Sequence, residues 1–246
     1  MTLANRVALE RAFVLHTRAF KETSLIVEVF TESFGRLSLV AKGARRPKSQ
    51  LRPIQTPTSE LSISYSGRGD LKNLTQCEII QHYNISSKVA FSCIVYLNEL
   101  LIKTLEKEDP HSEVFNQFSL LCNNLSKEND QQKIEVQLRS FELILLQELG
   151  YGIDLESESI TGEKILAESY YSFDPSLGFS KISRDVSKLS SGFFLGNDII
   201  EFSKGNLNEA GSRKAAKKIM RRALDFNLGN KTLNIRKYLI EKEGSK

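Results

Sequence analysis

At 246 residues, 40% apolar and 26% charged, the chain is long enough for two ordinary domains and reads as globular rather than disordered. Its longest aliphatic run, Leu143–Leu146, is far short of a membrane span, and Arg6, Glu10 and Arg11 occupy the stretch where a secretory signal needs apolar residues. The net charge of +4 is unevenly spread: residues 1–80 carry 12 Lys+Arg against 7 Asp+Glu, residues 81–200 carry 10 against 18, and residues 201–246 carry 12 against 5. Two basic ends around an acidic middle fit a polyanion partner.

The first 80 residues read as strands. Ala12–Phe20, Ser24–Phe30 and Arg36–Lys42 are short runs of Val, Leu, Ile and Phe, with a hairpin turn before Gly35. Ser59–Tyr65 alternates strictly, so Leu61, Ile63 and Tyr65 share one face and Ser62, Ser64 and Ser66 the other. Gly67-Arg68-Gly69-Asp70 is a turn, and Leu71–Ile80 is a fifth strand. Five short strands fit a small closed barrel such as the OB-fold, in which closure removes exposed edges. The Gly43–Pro53 segment contains two prolines and is no regular strand.

From Ser87 the period becomes helical. Val89–Lys107, Ser112–Leu125 and Gln131–Leu149 are predicted helices, the last stopped by Gly150 in the left-handed conformation. Residues 153–195 show no sustained period, apart from a short hairpin of Tyr170–Phe173 and Gly178-Phe179 turning at Asp174-Pro175. Ser212–Phe226 is a further helix, and Thr232–Glu241 another candidate. The expected class is α+β: a five-stranded OB-fold over residues 1–81, then a mainly α-helical domain over residues 82–246 with a small irregular or β subdomain at about 153–195.

Two basic clusters stand out. At about 100° per residue, Arg213, Lys214, Lys217, Lys218, Arg221 and Arg222 fall on one half of the last long helix, and Ala215, Ala216, Ile219, Met220 and Ala223 on the other. Like charges at i, i+4 repel, and a bound polyanion relieves that repulsion. The alternative is a solvated amphipathic helix. Lys42, Arg45, Arg46, Lys48 and Arg52 crowd the loop after the third strand, with Arg36 and Arg68 elsewhere on the barrel. Such a loop on a barrel rim can track phosphates. Phe20, Phe30, Phe34 and Tyr65 are either stacking faces for bases or barrel core.

Catalytic patterns are missing. His16, His82 and His111 have no metal-ligand spacing to one another or to a cysteine, and GxxxxGK[ST], GxGxxG and GxSxG do not occur. Glu106/Glu108 and Glu156/Glu158 read as solvated charge. Cys77, Cys93 and Cys122 are dispersed without a CxxC pair, which argues against disulfides and a four-cysteine zinc site and fits a reducing cytosol. The residues describe a non-enzymatic nucleic-acid binder without metal or cofactor.

Several strings carry a family resemblance: Ala12-Phe13-Val14-Leu15-His16, Glu22-Thr23-Ser24-Leu25, Leu39-Val40-Ala41-Lys42-Gly43-Ala44-Arg45, Gly67-Arg68-Gly69-Asp70-Leu71, and Leu138-Arg139-Ser140-Phe141-Glu142-Leu143 running into Leu149-Gly150-Tyr151-Gly152. In this order they resemble the RecO family of bacterial DNA repair proteins over essentially the whole chain. The resemblance implies an OB-fold, a helical domain, and a recombination mediator that binds single- and double-stranded DNA. It implies annealing of strands covered by single-strand-binding protein and, with RecR and in some pathways RecF, loading of RecA, in the cytoplasm at the nucleoid. It also implies that Arg139 contacts the tail of single-strand-binding protein. Some members carry a four-cysteine zinc cluster after the LGYG string. Here Glu158 stands at the first of those positions and residues 153–200 lack cysteine, so a zinc-free member is expected. Two other readings are a protein-interaction hub with secondary DNA binding, and an RNA-binding OB protein.

Overall fold

The computed structural model describes residues 6–56, 58–182, 192–229 and 231–235. By packing, they fall into two compact units: Met1–Asn129 with Leu233–Lys246, and Asp130–Thr232.

The first unit is built on a closed barrel. Its strands are β1 (Arg6–Phe20), β2 (Ser24–Thr31), β3 (Gly35–Ala41), β4 (Ser59–Ser66) and β5 (Leu71–His82), in the order β1-β2-β3-β5-β4. β1 pairs with both β2 and β4, which closes the sheet, and β3 with β5 is the parallel pair. This is the α+β, OB-type architecture expected. Inward side chains alternate along the regular strands, as Leu25, Val27 and Val29 on β2, Leu37 with Leu39 on β3, and Leu61 with Ile63 and Tyr65 on β4. Ile54, from the short 3-10 turn Arg52–Gln55 inside the basic loop, plugs the core at 0% exposure.

β1 begins six residues earlier than the sequence pattern placed it. The register against β4 shifts between Val7 and Glu10, and Leu9 sits at φ 56° with its N–H donating to the Ser64 hydroxyl at 3.2 Å. A bulge of this kind breaks the period of two, so alternation could not reveal this half of the strand.

Helices α1 (Lys88–Thr104) and α2 (Ser112–Leu125) complete the unit. The barrel's outer face offers Phe13 and Phe30 to α2, with Phe115 at 5.3 and 5.5 Å from their ring centres and Phe118 at 5.0 Å from Phe13. α1 ends at Thr104 rather than Lys107 because the barrel takes the following backbone: Arg36 Nε donates to the Leu105 carbonyl at 3.1 Å, and the Glu108 N–H donates to the Arg36 carbonyl at 3.0 Å. Gly35, at φ +65°, lies so close beneath this loop that a Cβ would be 2.0 Å from the Asp109 carbonyl oxygen.

The second unit holds α3 (Gln131–Glu148), a three-stranded sheet of β6 (Tyr170–Asp174), β7 (Gly178–Lys181) and β8 (Phe193–Leu195) in the order β7-β6-β8, then α4 (Gly196–Ser203) and α5 (Ala210–Leu228). Asp130 caps α3, accepting from the N–H groups of Gln132 and Lys133. Gly150, at φ 80°, closes it: its N–H donates to Gln147 and that of Tyr151 to Leu146, the paired bonds of a Schellman ending. The hairpin forms as expected, with Asp174 opposite Gly178 and the Asp174 carboxylate accepting from the Ser176 and Leu177 N–H groups. The third strand closes the aperiodic stretch of residues 153–195, and α4 follows that stretch directly. Glu158, 8% exposed, secures it: the Thr161 hydroxyl donates to its carboxylate at 2.9 Å and the Lys181 N–H at 3.1 Å. Of the expected helix Thr232–Glu241, all beyond Ile235 lies outside the described residues. No described helix is long and apolar enough to cross a membrane.

Candidate nucleic-acid interface

The basic loop is fastened to the β1–β2 turn. The Arg45 N–H donates to the Thr23 carbonyl at 3.0 Å, and its guanidinium to the Glu22 carbonyl at 3.1 Å. Gln55 reaches back to the Ala44 carbonyl at 2.7 Å, and Ala44 is fully buried. The loop is thus anchored from both sides, while Lys42, Arg45, Arg46, Lys48 and Arg52 remain exposed. The side chains of Lys42, Arg46 and Lys48 have no hydrogen-bond or ion-pair partner among the described residues, and the Arg52 guanidinium donates to the Pro47 carbonyl at 3.3 Å. Anchored backbone and unpaired side chains make a cationic surface whose geometry is set before any anion arrives.

The other barrel residues divide. Arg68 is exposed in the β4–β5 turn. Arg36 has a structural position: its side chain is 14% exposed, its Nη1 donates to Glu28 at 3.1 Å, and its Nε holds the α1–α2 loop. Phe30 is buried beneath Phe115, and Tyr65 lies in the barrel core. Phe34 is 39% exposed on the β2–β3 turn, edge-on to Tyr65. Phe20 is half-buried beside the basic loop, with the Lys21 ammonium 5.4 Å from its ring centre. Sequence reasoning passed over Lys21 and Arg18; the signal was the Arg18/Phe20 spacing of two, which puts both on one strand face.

On α5 the apolar half packs inward as expected, with Ala216, Ile219 and Met220 at 0% exposure. Lys214, Lys217, Lys218 and Arg221 form the exposed stripe, and Arg221 approaches Asp225 at 3.9 Å. Two cations of the set are used internally. Arg213 donates to the carbonyls of Leu207 and Asn208, and Arg222 lies 5.4 Å over Phe194 and donates to the Gly192 carbonyl. The stripe is narrower than the helical projection implied, because the flanking arginines bend onto their own unit.

Arg139 lies on α3 with its side chain 11% exposed, paired at 2.5 Å with Glu142, whose side chain is 0% exposed. Its Nε is buried without an acceptor among the described residues. Arg139 is therefore a cation within the packed body of the helix, not an exposed one.

The titratable groups with shifted behaviour lie elsewhere. Burial alone would raise the Glu60 carboxyl; hydrogen bonds from Arg11 and Ser119, the Arg11 charge and the Tyr83 hydroxyl overcome it, and the pKa falls below its ordinary 4.5. This network ties β4 to α2. Burial pushes the Cys77 thiol up to about 12 and the Cys122 thiol up as well, which holds both in the un-ionised, unreactive form. No disulfide joins Cys77, Cys93 or Cys122, and no three His, Cys, Asp or Glu side chains group as metal ligands among the described residues.

Comparison with known proteins agrees with this architecture. The family model Recombination protein O N terminal matches residues 6–83, and Recombination protein O C terminal matches residues 86–235. The DNA repair protein RecO of Polynucleobacter asymbioticus is 37% identical over 240 residues, covering 96% of this chain and 97% of that one. Its counterpart in Actinobacillus pleuropneumoniae serotype 5b is 37% identical over 227 residues, 92% of each chain. That of Paraburkholderia xenovorans is 35% identical over 236 residues, covering 96% of this chain and 77% of its own. With a closed five-stranded barrel, both family models in sequence and relatives matched over 92–96% of this chain, the chain belongs to the RecO family of DNA repair proteins.

Proposed function

We propose that the chain is a recombination mediator: it binds single- and double-stranded DNA, anneals strands coated with single-strand-binding protein, and with RecR, and RecF where present, helps RecA replace that protein. The observation that carries this reading is the anchored loop, with unpaired cations at Lys42, Arg46 and Lys48 and exposed Arg45 and Arg52 beside them. Each phosphate neutralised there releases counterions, so binding favours any polyanionic backbone and weakens with salt. Arg68 and the α5 stripe of Lys214, Lys217, Lys218 and Arg221 extend the cationic surface available to DNA. Two strands relieved of mutual repulsion on such surfaces can search for register without ATP, metal or cofactor. The action belongs to the cytoplasm, at the nucleoid.

Contact with the tail of single-strand-binding protein, an acidic segment ending in an apolar residue and a free carboxylate, requires an apolar pocket with a cation at the rim. Arg139 serves this role only through donors that Glu142 leaves free, such as its unpaired Nε. The test of the mediator reading is RecA loading. On single strands coated with cognate single-strand-binding protein, the chain together with RecR should abolish the lag in RecA's DNA-dependent ATPase, and neither alone should do so fully. An unchanged lag with both present contradicts the proposal.

A further inference from the structure

The barrel's outer face carries a groove of about 290 Å³ that the loop charges alone do not explain. Its lining includes Phe20, Lys21, Val40, Lys42 and Arg46. Strand register accounts for the gathering. Phe20 pairs with Ser24, Arg18 with Ile26, and Ile26 with Val40. Cross-strand partners share a face, so Arg18, Phe20, Ile26 and Val40 lie together. Their neighbours Leu25, Val27, Leu39 and Ala41 point into the core instead. Of the outward set, Phe20 and Val40 form the apolar floor of the groove outside the barrel, with Lys21, Lys42 and Arg46 around it. Lys21, at φ 53° in the turn, holds its ammonium over the Phe20 ring, and Arg46 packs its side chain against Gly43 with its Cδ 3.6 Å from where a Cβ would sit.

We infer that this groove is a single-nucleotide subsite: one unstacked base lies on Phe20, and Lys21, Lys42 and Arg46 hold the phosphates on either side of it. The inference rests on the DNA-binding reading above and deepens it by assigning where single strands are told from duplex. The groove is at the small end of ligand sites, which suits one base rather than several. An aromatic face accepts any base, because every base has a π-face. Charge chooses the occupant. Lys42, Arg45, Arg46, Lys48 and Arg52 continue away from the groove along the loop, a spacing that suits a repeating anion; a short acidic peptide would use only the rim. A duplex keeps its bases stacked and reaches the loop but not the floor.

The test uses the full chain and three probes of about fifteen nucleotides: a thymidine oligonucleotide, the same backbone with abasic sites, and a duplex. Phe20→Ala is expected to weaken the thymidine oligonucleotide about tenfold. It should leave the abasic strand and the duplex within about twofold and the salt slope unchanged, because no phosphate contact is lost. Phe20→Tyr should restore affinity. If Phe20→Ala does not fold, Phe20→Leu, which keeps bulk without a planar face, is read the same way. An unchanged thymidine affinity, or equal losses on thymidine and abasic strands, overturns the subsite. The paired variant Lys42→Ala/Arg46→Ala separates the two readings: if it weakens all three probes while Phe20→Ala weakens none, DNA binding at the loop stands and the subsite falls; if it weakens none, both fall. An acidic peptide ending in Phe that binds wild type but not Phe20→Ala, with thymidine affinity unchanged, makes the groove a peptide receptor and overturns the proposal.

Discussion

Glu60 shows how one carboxylate ties the barrel to its covering helix. It accepts from Arg11 at 2.6 Å, Ser119 at 2.8 Å and Tyr83 at 3.1 Å, and these outweigh its burial. A carboxyl with a lowered folded pKa contributes stability above its ordinary value of 4.5, and loses it as pH falls through the folded value. Denaturant unfolding of Glu60→Gln is therefore expected to show reduced stability at neutral pH and a flatter decline below pH 4.5 than wild type; parallel curves would contradict the assignment. Gly35 has a different constraint. Its positive φ and the Asp109 carbonyl 2.0 Å from any Cβ leave no room for a side chain. Gly35→Ala should cost about 2 kcal/mol or more in unfolding free energy, by strain and by lifting the loop that Arg36 holds. Arg36→Ala should likewise lower stability while leaving the salt dependence of DNA binding unchanged, because its guanidinium is committed to Glu28 and Leu105.

Among the elements, the basic loop and α5 read alike in sequence and differ in the structure. The loop's cations are exposed because the backbone beneath them is anchored; two of the six on α5 turn back onto carbonyls and a ring. Spacing alone gives a direction around a helix axis, not the rotamer an arginine takes when a free carbonyl lies within reach. The same reason hid the role of Arg36. Replacing Arg45, Arg46 and Lys48 with Ala should make the slope of log affinity against log salt shallower by about 2 for single strands, measured by fluorescence anisotropy; an unchanged slope would remove the loop from the interface. On α3, Arg139→Ala deprives a fully buried Glu142 of its cation. It should lower stability by about 3 kcal/mol in chemical unfolding, so tail binding by this variant is interpretable only at temperatures where it remains folded. A loss below about 0.5 kcal/mol, the range of exposed pairs, would contradict the buried geometry.

At the scale of the whole molecule, legibility followed periodicity. The barrel was readable where strands alternate or run apolar, as in Ser59–Ser66 and Ser24–Thr31, and α2, α3 and α5 where apolar residues recur at helical spacing. What escaped was structure without a local period. The first half of β1 is broken by the Leu9 bulge, β8 is three residues long in a stretch ordered by Glu158 and by Phe173, Phe179 and Phe194 packing together, and α4 is only eight residues long. The charge pattern of basic ends around an acidic middle was legible from the start. Among the described residues it includes a cationic loop in the first unit and a cationic stripe in the second.

The most direct measurement is annealing of complementary oligonucleotides coated with cognate single-strand-binding protein, without ATP or added metal, across a salt series. The account predicts rapid annealing by the wild-type chain, fading steeply with salt, and slowed both by alanines at Arg45, Arg46 and Lys48 and by alanines at Lys214, Lys217 and Lys218. A folded chain that binds bare DNA yet leaves coated strands unpaired would contradict it.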